Sequence, residues 1–167
     1  MAYKAPGTKA PYRFKDECTW VTGKDAGELS STGYGSCVGL VLYGPRHRIG
    51  VVAHYSGSLG TKKFIHTVEP DTLEILRDVC PLLPGIWKAW VFGGKSLEKH
   101  SQIATKTIDS TKALIDEVRR VLKGNKYIPI NMLPNHPEFK EPEMTTAYVG
   151  HDSVKLDLAS GTVIWGF

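Results

Sequence analysis

The chain has 167 residues, of which 41% are hydrophobic and 23% charged, and its formal net charge is +4. This size and composition are typical of one globular domain with a substantial core, and they argue against a disordered or fibrous chain. Lysine and arginine are scattered without a dense basic run, so we expect no nucleic-acid partner. No apolar stretch reaches the ~18 residues that a membrane-spanning helix requires, so we expect no membrane insertion.

The first residues, MAYKAPGTKAPYRFKDE, are polar and rich in proline. They lack the apolar segment of a Sec signal peptide, so we expect a cytoplasmic protein, with delivery by a specialised secretion system left open. Pro6, Gly7 and Pro11 predict a flexible N-terminal arm over residues 1–11. Residues 12–167 contain no repeat and no linker-like composition, which predicts a single domain.

Two apolar runs rich in β-branched residues, CVGLVLY (37–43) and RIGVVAHY (48–55), flank the segment GPRH and predict a β-hairpin. Further along the chain, the apolar spacing after Asp71 predicts a helix capped by that residue, and Ser110 is expected to cap a second helix that ends before Gly124. Strands are predicted at 86–94, 126–132, 145–150, 152–158 and 162–167, with a proline-broken loop at 135–144. This order of elements predicts an α+β fold with much antiparallel sheet.

The turn of the hairpin determines which residues face each other. Proline cannot adopt the positive φ that a two-residue type I′ turn needs, so a four-residue loop over 44–47, with Pro45 in a type I turn, is favoured. In that register Tyr43 faces Arg48, and Cys37 lies directly opposite His54. Their Cβ atoms would then be ~4.5–5.5 Å apart, on a face that glycines leave thinly covered.

A thiol beside an imidazole predicts nucleophilic chemistry. The imidazole can favour the thiolate of Cys37 or take its proton. The preceding segment TGYGS contains glycines, and backbone N–H groups of Gly35, Ser36 and Cys37 could stabilise an oxyanion. The alternative is a buried cysteine packed beside a histidine with a structural role, and spacing alone leaves the two interpretations about level.

The sequence STGYGSCVGLVLY, followed by RIGVVAH, resembles the chemoreceptor glutamine deamidases of the CheD family. The shared pattern is a glycine-containing segment, the cysteine, an apolar strand and a second strand that ends in Ala-His. The resemblance continues more weakly through WVFGG, YIPI and VKLDLASGTVIW, and only residues 31–54 are specific. The same Cys–His core is also similar to deamidase toxins of the cytotoxic necrotizing factor type.

The resemblance implies a largely antiparallel, β-sandwich-like core flanked by two or three helices. It further implies a cysteine hydrolase that converts glutamine side chains of a protein substrate to glutamate, with Cys37 as nucleophile and His54 as base. The third member of the family's site is a threonine six residues before the cysteine. That position is Ser31 here, and the adjacent Thr32 is the alternative.

Two signatures of the family differ in this chain. Its I-G-E-R-N sequence is not evident in KSLEKHSQIATKTIDSTKA, and its D-x-G-G segment is replaced by NMLPNHPEF. The chemoreceptor substrate is therefore one option, and a toxin-like effector that acts on another target protein is a second. A non-catalytic module that binds a signalling protein, and a thiol protease or transglutaminase, are further alternatives.

No cofactor is expected from the sequence. The six histidines form no cluster with cysteine, aspartate or glutamate at metal-ligand spacing, so we expect no metal site. Cys18, Cys37 and Cys80 are odd in number and widely spaced, which fits neither a disulfide framework nor a zinc site.

Overall fold

The fold is described by a computed structural model that covers residues 2–4, 12–15, 18–79, 87–94, 97, 105–123 and 143–166. The predicted strand at 126–132, Gly124 and most of the loop predicted at 135–144 lie outside these residues.

Within the described residues the chain forms ten strands and two helices. The strands are β1 (Ala2–Lys4), β2 (Tyr12–Lys15), β3 (Cys18–Lys24), β4 (Glu28–Thr32), β5 (Val38–Gly44), β6 (Ile49–Tyr55), β7 (Lys88–Gly93), β8 (Glu143–Gly150), β9 (Ser153–Asp157) and β10 (Val163–Trp165). The helices are α1 (Val68–Val79) and α2 (Thr105–Lys123), and two short 3-10 turns, Gly57–Gly60 and Ile65–Thr67, lie between β6 and α1.

The strands form two sheets, which confirms the predicted α+β fold. The smaller sheet has the order β1-β4-β9-β10, and the larger has the order β2-β3-β6-β5-β7-β8. All pairings between neighbouring strands with a described register are antiparallel except that of β7 with β8, which is parallel. None of the described helices is long and apolar enough to cross a membrane.

Alternation along β5 and β6 separates two apolar clusters. Val38, Leu40 and Leu42 point toward the cluster that contains the apolar residues of α1 and α2. Val41, Tyr43 and Val52 point toward Leu29, Val154 and Leu156 of the smaller sheet. Successive residues of a strand face opposite sides, so the larger sheet is covered by helices on one face and by the smaller sheet on the other.

The hairpin of β5 and β6 has a different register from the predicted one. The loop comprises Pro45–Arg48, Gly44 pairs with Ile49, and Gly39 is the residue opposite His54. Arg48 has a φ of 49°, so the loop closes through a left-handed residue instead of ending at His47. The predicted direct opposition of Cys37 and His54 is therefore wrong. Because the register differs by two residues, both side chains keep the predicted face.

The two helices begin earlier than predicted. The 3-10 turn Ile65–Thr67 leads directly into Val68, so Asp71 lies inside the first turn of α1. Asp71 is fully buried there. Pro70 is compatible with this first turn, where a backbone N–H has no partner within the helix. Ser110 lies in the interior of α2. Ile108 is partly buried and lies two turns before Ile115 on the same face of α2. This apolar face begins before Ser110, so the helix begins before the predicted cap.

Four strands, β1 to β4, were missed in the sequence, and one of them, β4, carries the site residue Ser31. β3 and β4 are joined by a tight turn in which Asp25 and Gly27 have positive φ. Its residues KDAG are a turn signal between β-branched segments, which could have been recognised. Residues 2–4, which the sequence places in a flexible arm, form β1 and pair with β4 along Leu29–Ser31.

Candidate active site

His54 lies near the end of β6, on the face of the larger sheet that meets the smaller sheet. Thr19 of β3 is opposite it on one side and Gly39 of β5 on the other. Only 8% of His54 is exposed. A histidine at this depth needs partners for its ring nitrogens, because an unsatisfied buried polar group is costly.

Ser31 supplies one of these partners from the opposite sheet. The Ser31 Oγ lies 3.2 Å from His54 Nδ1, and Ser31 is fully buried on β4. Thr32, the next residue, is exposed. Alternation along β4 therefore directs the hydroxyl of Ser31 toward the imidazole and the side chain of Thr32 toward solvent.

Tyr34 covers one face of the imidazole. Its ring stacks on His54 with centroids 4.2 Å apart and planes 14° from parallel. The Tyr34 hydroxyl donates to the Ala53 carbonyl, and the ring also meets Phe92 edge-on at 4.8 Å. Tyr34 was not among the site residues predicted from the sequence. An aromatic residue between the two glycines of the segment was the available signal.

The sequence predicts that the glycines of the hairpin leave this face thinly covered, and this prediction is wrong. A Cβ atom at Gly39 would lie 2.0 Å from the ring of Phe92, and one at Gly50 would lie 2.5 Å from Leu156. The absent side chains instead let large neighbouring side chains approach the backbone closely.

Burial controls the charge of the imidazole. Desolvation lowers the pKa of His54 from 6.5 to about 4. The imidazole is therefore neutral at pH 7, with a proton on one nitrogen and a lone pair on the other. When Nδ1 holds the proton it donates to Ser31 Oγ, and the lone pair lies on Nε2.

Cys37 lies in the segment before β5 and packs, half-buried, against the same cluster as Tyr34 and Phe92. In the observed register it is the diagonal neighbour of His54, two residues from Gly39. Diagonal neighbours have Cα atoms ~7–8 Å apart, and their side chains are somewhat closer. Cys18, in contrast, is fully buried in the cluster beneath the helices.

The segment Gly33–Cys37, which we call the cysteine loop, is held by backbone contacts on two sides. The Asp152 carbonyl accepts hydrogen bonds from the amides of Gly33 and Tyr34, and the Gly94 amide donates to the Cys37 carbonyl at 2.9 Å. A Cβ atom at Gly94 would lie 2.4 Å from the Gly35 carbonyl oxygen, so only glycine permits this approach.

Helix α2 and the first 3-10 turn hold the loop from a third side. Thr111 of α2 is fully buried, and its Oγ1 donates to the Ser36 carbonyl at 3.2 Å. Gly57 also approaches closely, since a Cβ atom there would lie 2.6 Å from the same carbonyl oxygen. Neither Thr111 nor Gly57 was among the site residues predicted from the sequence.

The predicted oxyanion donors differ in their availability. The Gly35 amide already donates to the Gly33 carbonyl at 3.1 Å, which argues against Gly35 as a donor. Among the described residues, none accepts a hydrogen bond from the amides of Ser36 and Cys37. A Cβ atom at Gly35 would have nothing within 4 Å, so the space beside the loop is open.

Where side chains are described, no group of three or more histidine, cysteine, aspartate or glutamate residues is arranged as metal ligands. No model of a known protein family matches this chain.

Proposed function

We propose that this protein is a cysteine hydrolase that deamidates glutamine side chains of a protein substrate to glutamate. The contact between Ser31 Oγ and His54 Nδ1 carries this proposal, because it orients a neutral histidine on the face that Cys37 also occupies. A nucleophile, a base and a group that orients the base are the parts that nucleophilic catalysis requires.

In the first step, the Cys37 thiol attacks the carboxamide carbon of the glutamine side chain. His54 Nε2 accepts the thiol proton as the S–C bond forms and the carbonyl oxygen becomes an oxyanion. An uncharged imidazole favours this role, since it holds a lone pair at neutral pH. The amides of Ser36 and Cys37 are the candidate donors to the oxyanion.

In the second step, the protonated His54 donates its proton to the departing nitrogen, the C–N bond breaks, and ammonia leaves a thioester on Cys37. Water then attacks the thioester while His54 accepts a proton from it. Collapse of the tetrahedral intermediate releases glutamate, and the thiolate recovers its proton from His54. The cycle consumes one water molecule and releases one ammonia.

The substrate class rests on the resemblance of residues 31–54 to the CheD deamidases. A chemoreceptor and another target protein with an exposed glutamine both fit this chemistry, and the exposed space beside Gly35 would admit a side chain from a folded partner. The role is therefore in chemotaxis signalling or as a toxin-like effector.

Ammonia release and mass spectrometry test this proposal directly. Purified protein is incubated with a bacterial or host lysate, and tryptic peptides are searched for glutamine-to-glutamate conversion, a mass increase of about 1 Da that amide hydrolysis produces. Cys37→Ala should abolish the conversion. Cys18→Ala is the matched control, because it removes a buried thiol on the opposite face of the sheet.

Identical peptide lists from the wild type and from Cys37→Ala would overturn the proposal and favour a non-catalytic binding module. Incorporation of an added primary amine in place of water would instead identify a transglutaminase. Cleavage of the peptide backbone would identify a protease.

A further inference from the structure

We infer that Thr111 of α2 is a positioning residue for the oxyanion donor of this site, acting through the peptide group that joins Ser36 and Cys37. This inference rests on the proposed cysteine chemistry and deepens it. The observation that carries it is the partly buried hydrogen bond from Thr111 Oγ1 to the Ser36 carbonyl, between residues 75 positions apart in the chain.

The Ser36 carbonyl and the Cys37 amide belong to the same peptide unit. In a planar trans peptide the C=O and N–H bonds point in opposite directions. Anchoring the carbonyl oxygen on α2 therefore directs the Cys37 N–H away from the helix. The anchor and the proposed oxyanion donor are two ends of one rigid group.

The second peptide group of Cys37 is anchored independently, because its carbonyl accepts from the Gly94 amide. With both flanking peptide planes held, the Cα of Cys37 has little freedom to rotate. Preorganised donors of this kind account for much of the catalysis in acyl-transfer sites, because they need no reorganisation when charge develops.

Thr111 itself is held in place by the packing of α2. The residue before it, Ser110, packs against the first 3-10 turn, where a Cβ atom at Gly60 would lie 2.0 Å from the Ser110 carbonyl oxygen. The neighbouring Leu114 and Ile115 are fully buried beneath the larger sheet. The helix is thus a fixed support for the hydroxyl.

Two reactions of Cys37 distinguish positioning of an oxyanion donor from a general structural role. Acylation by p-nitrophenyl acetate passes through a tetrahedral oxyanion, whereas alkylation by iodoacetamide displaces iodide at a saturated carbon and forms none. Both are followed with purified full-length protein, and the Cys37→Ala variant supplies the background. Neither assay requires the natural substrate.

Thr111→Val removes the hydroxyl and keeps the shape of the side chain. We expect acylation to slow by roughly 2- to 15-fold, the effect of losing one hydrogen bond, while alkylation stays near the wild-type rate. Thr111→Ser keeps a hydroxyl and should restore most of the acylation rate. If valine prevents folding, Thr111→Ala provides the same comparison.

Thr72→Val is the matched control, since Thr72 is also a buried helical threonine and its hydroxyl bonds Tyr55, whose side chain lies in the cluster beneath the helices and not on the face that carries His54. It should change neither rate. Unchanged acylation in Thr111→Val, or equal slowing of acylation and alkylation, would overturn the inference. Because the test reads the ratio of the two rates, failure to find any deamidated protein would count against the proposed function alone.

Discussion

Ser31 and His54 belong to different sheets, and their side chains meet across the space between those sheets, with Oγ and Nδ1 3.2 Å apart. The packing of the smaller sheet on the larger one therefore assembles the oriented histidine. Any change that shifts one sheet relative to the other will change the position of this imidazole.

The Ser31 hydroxyl should contribute to kcat by orienting the imidazole. For Ser31→Ala we expect kcat for ammonia release to fall by roughly 2- to 15-fold, the effect of one hydrogen bond, with an unchanged circular dichroism spectrum. Ser31→Thr should keep activity, because threonine offers the same hydroxyl.

Thr32→Ala is the control for Ser31, since Thr32 is exposed beside it on β4. It should be close to wild type in kcat. A crippled Thr32→Ala together with a fully active Ser31→Ala would show that Thr32 is the third member of the site.

The buried imidazole of His54 should make the fold sensitive to acid. Its pKa is 6.5 in the unfolded chain and about 4 in the folded one, so the unfolded state binds more protons between these values. The free energy of unfolding should therefore fall as the pH drops from 6.5 to 4, by on the order of 3 kcal/mol in total. Urea unfolding across this range measures the loss.

His54→Gln removes this titration, so its pH profile of stability should be flatter than that of the wild type. His66→Gln, which replaces an exposed histidine, should keep the wild-type profile. Parallel profiles for wild type and His54→Gln would show that His54 does not titrate in this way. In the active protein, His54 should stay neutral down to about pH 4. Therefore kcat/KM should not fall through protonation of this residue until the pH approaches 4.

Substitution of Gly39 should disturb both stability and the site. In Gly39→Ala the new methyl group would collide with the buried ring of Phe92, which contacts Tyr34. Overpacking of this kind costs about 1–3 kcal/mol in the free energy of unfolding. Displacement of Phe92 and Tyr34 should also lower kcat, because Tyr34 stacks on the imidazole.

Gly35→Ala serves as the stability control for Gly39→Ala, because its Cβ atom would meet nothing within 4 Å. Its free energy of unfolding should stay within about 0.5 kcal/mol of wild type. Equal and small changes for the two variants would refute the tight packing at Gly39.

The thiols should differ in their reactivity in the folded state. Cys37 is partly exposed and Cys18 is fully buried, so iodoacetamide at pH 7 should label Cys37 first and Cys18 only on unfolding. Peptide mapping by mass spectrometry identifies the labelled sites. His54→Gln should slow the labelling of Cys37, because the base that takes the thiol proton is lost.

Equally slow labelling of Cys37 and Cys18 would contradict this expectation. It would favour the interaction module over the enzyme. In the folded protein, we expect Cys37→Ala to lose the label and Cys18→Ala to be labelled as the wild type is.

The sequence was most informative where local chemistry dominates. Apolar runs identified β5, β6 and β7, and the alternation of faces along the hairpin assigned Val38, Leu40 and Leu42 to the better-filled core face. It was less informative about boundaries. Asp71 and Ser110 have the chemistry of helix caps but lie within α1 and α2, because packing extends both helices past them.

The sequence by itself determined that Cys37 and His54 share a face, since an error of two residues in register leaves the alternation unchanged. Only the tertiary structure decided that they are diagonal neighbours, because the left-handed Arg48 sets the length of the loop. Tertiary structure also brought Ser31, Tyr34 and Thr111 to the site from a second sheet, a loop and a helix. Contacts between such distant segments depend on how whole layers pack, which no local pattern of residues encodes.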